Sequence, residues 1–117
     1  MVELILQITA HTKGVTAMVQ ALASLMFQAK LEAGCLGCQL FAQTANPRAL
    51  SYVEQWATSE DLERQIRSSR FSYLLSTMET AAETPSLEIR TVSEQRGLDY
   101  IQTVRLRDES GSRERRL

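Results

Sequence analysis

Histidine and cysteine are almost missing from the chain: one of the first, His11, and two of the second, Cys35 and Cys38, in 117 residues. That scarcity excludes most metal chemistry. A zinc site takes about four ligands, and a lone Cys-x-x-Cys with one distant histidine cannot fill it without carboxylates that no motif identifies, so no metal is expected. A redox role for the pair is also set aside. The segment around it alternates like a strand, and residues three apart on a strand point to opposite faces. Both thiols are therefore read as small buried or half-buried side chains. Charge of one sign is lacking too: 13 basic and 14 acidic residues leave a net charge of -1, so there is no field to attract nucleic acid or an anionic membrane surface. No apolar run nears the roughly 20 residues that cross a bilayer, and Met1 to Gln7 has no basic stretch followed by an unbroken apolar one. A cytoplasmic protein is expected, with neither nucleic acid nor membrane as partner.

What is present is ordinary globular usage, 44% hydrophobic and 23% charged, at the commonest size for one domain. From Val2 to Ala10 the even positions Val2, Leu4, Leu6, Ile8 and Ala10 are apolar, while Glu3, Gln7 and Thr9 are polar: a half-buried strand. After Thr12-Lys13-Gly14 the apolar residues fall at Val15, Met18, Val19, Leu22, Leu25, Met26 and Ala29, which is helical spacing. The helix is predicted to run to Ala33 and close at Gly34. Cys35 to Thr44 and Leu50 to Trp56 read as two strands of a hairpin around the Asn46-Pro47-Arg48 turn. Thr58 to Asp61 reads as an N-cap followed by first-turn acids, opening a helix to Arg67. Ser68-Ser69 breaks it, and Phe71, Leu74, Leu75 and Met78 mark a second short helix. Leu87, Ile89 and Val92 mark a fourth strand over Ser86 to Glu94, with a phase slip between Ile89 and Val92 that suggests a bulge. Residues 1–104 form the expected domain, and 105–117 read as a polar, disordered tail.

The predicted fold class is α+β, a ferredoxin-like β-α-β-β-α-β arrangement with helices on one face of an antiparallel sheet. Ile5, Phe41 and Val53 fall on the strand faces opposite to Leu4, Leu40 and Tyr52. Apolar side chains thus sit on both faces, the helices cover one, and a second copy of the sheet is the simplest cover for the other.

Several segments together carry a resemblance: Thr12-Lys13-Gly14, Glu32-Ala33-Gly34-Cys35, Glu54-Gln55-Trp56, Ser59-Glu60-Asp61-Leu62 and Ser69-Arg70-Phe71. In order and spacing, from Val2 to Val104, they resemble the antibiotic biosynthesis monooxygenase family. The resemblance implies a homodimer whose two sheets enclose an α+β barrel, with a pocket for a small hydrophobic or aromatic molecule in each protomer. It also implies oxygenation without flavin or metal, since a deprotonated phenol or hydroquinone can itself reduce dioxygen, so no cofactor is expected. Two departures stand out. Many quinol-oxidising relatives carry a histidine where Gln65 stands, and haem-degrading relatives have asparagine, tryptophan and histidine where Gln7, Gln65 and Leu75 stand. Leucine cannot ligate iron, which argues against haem degradation.

The candidate catalytic residues are His11 and Glu54. An imidazole suits proton transfer near neutral pH, and Glu54 lies two residues before Trp56 on the same strand face, where it can act as a base or pair with an arginine such as Arg70 or Arg90. The candidate substrate-binding residues are Gln7, Tyr52, Trp56, Gln65 and Tyr73, with Trp56 as a pocket wall and the others as hydrogen-bonding groups. The predicted function is a cofactor-independent monooxygenase acting on a small aromatic or quinol-like compound. The alternative is a non-catalytic small-molecule-binding barrel in which Gln65 marks the lost chemistry.

Overall fold

The computed structural model describes the backbone of residues 1–116 and the side chains of residues 1–107. In chain order the elements are β1 (Val2–Thr9), α1 (Val15–Lys30), β2 (Cys35–Ala42), β3 (Ala49–Trp56), α2 (Ser59–Ile66), α3 (Ser69–Met78), β4 (Ser86–Thr91) and α4 (Leu98–Arg116). The four strands form one sheet in the order β2-β3-β1-β4, every neighbouring pair antiparallel. This is the expected ferredoxin-like layout, with its second helix split in two.

The period-two pattern sets the core. Leu4, Leu6 and Ile8 of β1 and Leu50, Tyr52 and Trp56 of β3 turn one way and are almost wholly buried under Met18, Leu22 and Leu25 of α1, Leu62 of α2 and Leu74 of α3. Each short helix has its own start signal. The Thr58 hydroxyl accepts the N–H of Asp61 at 3.2 Å, and the Ser68 hydroxyl accepts that of Phe71 at 3.4 Å, so the chain closes one helix and caps the next within a few residues.

Three expectations are corrected. First, α1 stops at Lys30 rather than Ala33: Leu31 to Gly34 form a turn, in which Gly34 takes a φ of +85° that a residue with a Cβ rarely adopts. Second, β4 pairs with β1 in unbroken register from Gln7↔Ser86 to Val2↔Thr91, without the predicted bulge, and ends before Val92. The irregularity lies in β2 instead, between Cys35 and Gly37. Cys35 stands opposite Trp56 and Cys38 opposite Glu54, so the extra residue, Leu36, turns both thiols to the core face. The alternation argument that separated them therefore fails. Third, the chain after Gly97 is helical, and the domain boundary expected at residue 104 falls inside α4. Leu98 to Arg107 contains no proline or glycine and carries Asp99 in the first turn, both of which suit a helix. Its described residues, 98–107, are all exposed. The side chains of the expected tail from residue 108 lie outside the described residues.

The uncovered face of the sheet is mixed rather than apolar. Ile5 and Val53 are cross-strand partners, both half-buried, and Phe41 is 51% exposed beside them. Around these three lie Glu3, Gln7, Gln39, Ser51, Gln55 and Glu88. None of the described helices is long and apolar enough to cross a membrane.

Candidate functional site

Residues two apart on a strand share a face, and β3 uses this to send Tyr52, Glu54 and Trp56 into the core together. Glu54 is only 1% exposed. Burying a carboxylate costs several kcal/mol unless its oxygens are satisfied, and here each one is. Tyr52 donates its hydroxyl to Glu54 Oε2 at 2.6 Å, Trp56 donates its indole N–H to Oε1 at 3.0 Å, and Gln65 of α2 donates Nε2–H to Oε2 at 3.4 Å. All three partners are donors, which matches a group that only accepts.

Gln65 is fixed at both ends. Its carbonyl Oε1 accepts from Arg70 Nε at 3.2 Å and Nη2 at 3.1 Å, and Arg70 Nη1 in turn pairs with Glu32 at 3.2 Å near the surface. Direct pairing with an arginine is one of the two roles expected for Glu54. The arginine is instead one residue removed, acting through the amide, while Arg90 pairs with Glu88 on the edge strand. The result is a chain of polar contacts from the buried carboxylate to the protein surface.

The thiols sit beside this cluster, Cys38 within hydrogen-bond contact of Tyr52. Burial, with the nearby Glu54 charge adding to it, pushes the Cys38 thiol from an ordinary value of 9.0 up to about 12. Burial also raises the Cys35 thiol. Neither forms a thiolate readily, so neither is a nucleophile at neutral pH. The Tyr52 hydroxyl is raised above its ordinary value by burial first and by the Glu54 carboxylate second, which keeps it a hydrogen-bond donor. These shifts fix the sign of a pH effect. A group whose folded pKa lies above its unfolded one stabilises the fold below the unfolded value and ceases to do so as pH climbs toward the folded one. The urea midpoint is therefore expected to hold from pH 7 to 8.5 and to fall between about pH 9 and 12, and Cys38→Ala should flatten the first part of that fall. A midpoint independent of pH up to 11 would contradict the buried placement of these groups.

Of the seven predicted site residues, four converge: Tyr52, Glu54, Trp56 and Gln65. Three do not. Gln7 points to the uncovered sheet face, where it accepts a hydrogen bond from Ser51. Tyr73, 52% exposed, lies in an open groove of about 320 Å³ between α1 and α3. His11 is exposed in the turn before α1, where its carbonyl takes the N–H of Gly14 at 2.8 Å. Glu54 pairs with Leu4, and His11 lies seven residues further along the chain, beyond the end of β1 at Thr9 and roughly 20 Å from the carboxylate at the rise of an extended chain. Sequence reasoning missed Glu32 as the outer end of the polar chain, and Cys38 as a neighbour of Tyr52, which only the β2 bulge brings into place. The space beside Trp56 and Gln65, bordered by Glu32, Asp61, Arg64 and Arg70, is about 10 Å³, at the lower limit for one water and too small for a ring. No group of three or more histidine, cysteine or acidic side chains among the described residues is placed to hold a metal ion.

Comparison with known proteins matches residues 1–72 to the family model for antibiotic biosynthesis monooxygenases, a span that runs from β1 into α3 and contains Tyr52, Glu54, Trp56, Gln65 and Arg70. No curated protein matches the chain. Among solved structures, a protein from Deinococcus radiodurans provisionally named an antibiotic biosynthesis monooxygenase superposes with a TM-score of 0.76 at 13% identity, over 84% of this chain and 98% of that one. A similarly named protein from Nitrosomonas europaea gives 0.72 at 17% identity, over 80% and 100%. A protein from Pseudomonas aeruginosa gives 0.69 at 24% identity, over 80% and 94%. At these identities the structural matches speak for the fold. With the family model covering more than half of the chain, they leave one conclusion: this protein belongs to the antibiotic biosynthesis monooxygenase family.

Proposed function

We propose that the chain is a cofactor-independent monooxygenase that oxidises a small aromatic, quinol-like compound, working in the cytoplasm as a homodimer whose sheets face each other. One observation carries this reading: Glu54, 1% exposed beside Trp56, is the one buried acid among the described residues and meets no cation directly among them, which makes it the candidate proton acceptor once a ring hydroxyl replaces one of its three donors. A ring hydroxyl gives its proton to Glu54. The electron-rich anion then reduces dioxygen, one oxygen atom bonds to a ring carbon and the other leaves as water. A hydroquinone and dioxygen thus become a hydroxyquinone and water, with all four electrons supplied by the substrate. Trp56 forms the wall against which the ring lies, and Tyr52 and Gln65 hold the carboxylate in place. His11, roughly 20 Å away and exposed, takes no part. Because the closed space beside Trp56 holds no ring, this reading requires the Arg70–Glu32 pair to open for the substrate to enter. The half-buried Ile5 and Val53 and the exposed Phe41, on a face no helix covers, support the paired sheets.

The test is oxygen consumption with labelled dioxygen across a quinol panel, with a chelator present and no flavin. One label in the product and one in water is the expected result, and a rate no higher than the uncatalysed one throughout the panel would remove the reading. A second reading, a binding protein without chemistry, is favoured by Gln65, whose two amide ends are both committed to holding neighbours. Under that reading a thermal-shift screen finds stabilising aromatic ligands that are recovered unchanged.

A further inference from the structure

Two arginines border the space beside Trp56, and they are held differently. Arg64 pairs with Asp61 of its own helix at 3.2 Å, its side chain 60% exposed. Arg70 is only 24% exposed and is held on two sides: Nε and Nη2 donate to the Gln65 carbonyl at 3.2 and 3.1 Å, and Nη1 pairs with Glu32 at 3.2 Å. These two attachments differ in permanence. Gln65 is buried and its other end donates to Glu54, so the guanidinium is anchored from the core. The Glu32 side chain is 39% exposed, stands in the turn after α1, and has Arg70 as its one side-chain partner among the described residues. A partly exposed ion pair made through one nitrogen contributes little to stability. When the mouth opens, Glu32 is therefore the side chain that leaves, and Arg70 stays on Gln65.

That asymmetry bears on what suits the opened site. Departure of Glu32 leaves Nη1 of a mostly buried guanidinium without an acceptor, at the border of the space beside Trp56. A neutral ring brings no acceptor. A carboxylate does, and a guanidinium and a carboxylate match as planar partners whose charged hydrogen bond is stronger than a neutral one. The span fits as well. From Arg70 Nη2 through the Gln65 amide to Glu54 Oε2 is at most roughly 9 Å, so an acid and a hydroxyl carried by one ring can reach both ends. Of the charged groups at this mouth, Arg64 is already taken by Asp61, and Arg70 is the cation that an incoming acid would meet.

We infer that Glu32 occupies the place of the substrate's own acidic group, and that the site takes an aromatic acid: a hydroxylated ring whose carboxylate pairs with Arg70 while a ring hydroxyl donates to Glu54. Arg70 then determines specificity, and Glu32 is a built-in competitor that an acidic ligand displaces into water. This substrate class rests on the quinol-like reading of the Glu54 site and narrows it.

Trp56 is the only tryptophan in the chain, so an amide NMR spectrum carries one indole N–H signal, and that N–H is bonded to Glu54. The test follows this signal while the full chain is titrated, in the absence of dioxygen, with gentisate, a hydroquinone carboxylate, and with its uncharged methyl ester. The acid is expected to bind at least about 10-fold more tightly than the ester. Glu32→Gln removes the competitor at a partly exposed position and should raise the affinity for the acid about 3-fold or more while leaving that for the ester unchanged. Arg70→Met, which keeps an apolar stem, should bring the ratio of the two affinities to about 1. Equal binding of acid and ester by wild type, a preference for the acid that survives Arg70→Met, an acid affinity unchanged by Glu32→Gln, or an indole signal that neither compound moves would each overturn the assignment. Because binding is read without turnover, the two readings fail separately. A preference for the acid with no oxygen uptake on any quinol supports the acid site and removes the monooxygenase, whereas oxygen uptake with equal affinity for acid and ester does the reverse.

Discussion

Replacing Glu54 by alanine should cost the fold about 4 kcal/mol or more, although the change removes a charge from the core. The substitution strips Tyr52, Trp56 and Gln65 of their shared acceptor, and each buried donor left without one costs about 1–3 kcal/mol. The vacated volume adds a cavity cost of the same sign. Against the ~5–15 kcal/mol of a typical domain this is a large fraction, and the melting temperature should fall by about 15 °C or more. Glu54→Gln is the informative companion. It keeps the shape and one acceptor oxygen, so a loss of only about 1–2 kcal/mol is expected from the donor that now meets an amide N–H. Urea denaturation of the two variants beside wild type measures the difference. A Glu54→Ala variant within 1 kcal/mol of wild type would mean that the carboxylate is not held as described.

Gly34→Ala is the second large effect, with a different cause. Gly34 has a φ of +85°, where a Cβ costs about 1–2 kcal/mol, and a Cβ built there overlaps the Asp61 carboxylate. That carboxylate cannot move freely, because Thr58 donates to it at 2.9 Å and Arg64 at 3.2 Å. The same turn ties α1 to β3 through the hydrogen bond from Ala57 N–H to the Gly34 carbonyl at 2.8 Å. A total loss of about 3 kcal/mol is expected, seen as a drop of roughly 10–15 °C in melting temperature. Gly97→Ala is the control. Nothing lies within 4 Å of a Cβ there, so the same substitution should be neutral or slightly stabilising. Equal effects at the two glycines would contradict the turn geometry.

How far the residues alone reach can be traced position by position. Alternation over Val2–Ala10 and Leu50–Trp56 placed Leu4, Leu6, Tyr52, Glu54 and Trp56 on one face, and the buried cluster follows from that period. The two short helices were legible because Thr58 is a cap residue and Ser68-Ser69 interrupts the apolar run, although the capping role of Ser68 emerges only in the structure. Gln7 shows where resemblance overrode pattern: its odd position on β1 already opposed it to the even-numbered core residues, and it does face the other way. The β2 bulge was not legible. One inserted residue reverses the facing of everything before it, and nothing in Cys35-Leu36-Gly37 distinguishes a bulge from a regular strand except the glycine. α4 was missed because its weak apolar stripe, followed by a strongly charged stretch, reads as tail when no partner surface is in view.

The uncovered sheet face illustrates a different limit. Ile5, Val53 and Phe41 were correctly assigned to it, but sequence alternation does not count their neighbours, and Glu3, Gln39, Gln55 and Glu88 make the surface polar at its margins. Pairing of two such sheets therefore depends on registering polar rows as well as on burying a small apolar centre.

The most direct measurement is oxygen uptake by Glu54→Gln, with the fold checked by circular dichroism, on whichever quinol wild type turns over. The proton-acceptor role predicts a fall in kcat of at least about 100-fold with KM little changed. A variant that consumes oxygen at the wild-type rate would show that the buried carboxylate only holds the core together.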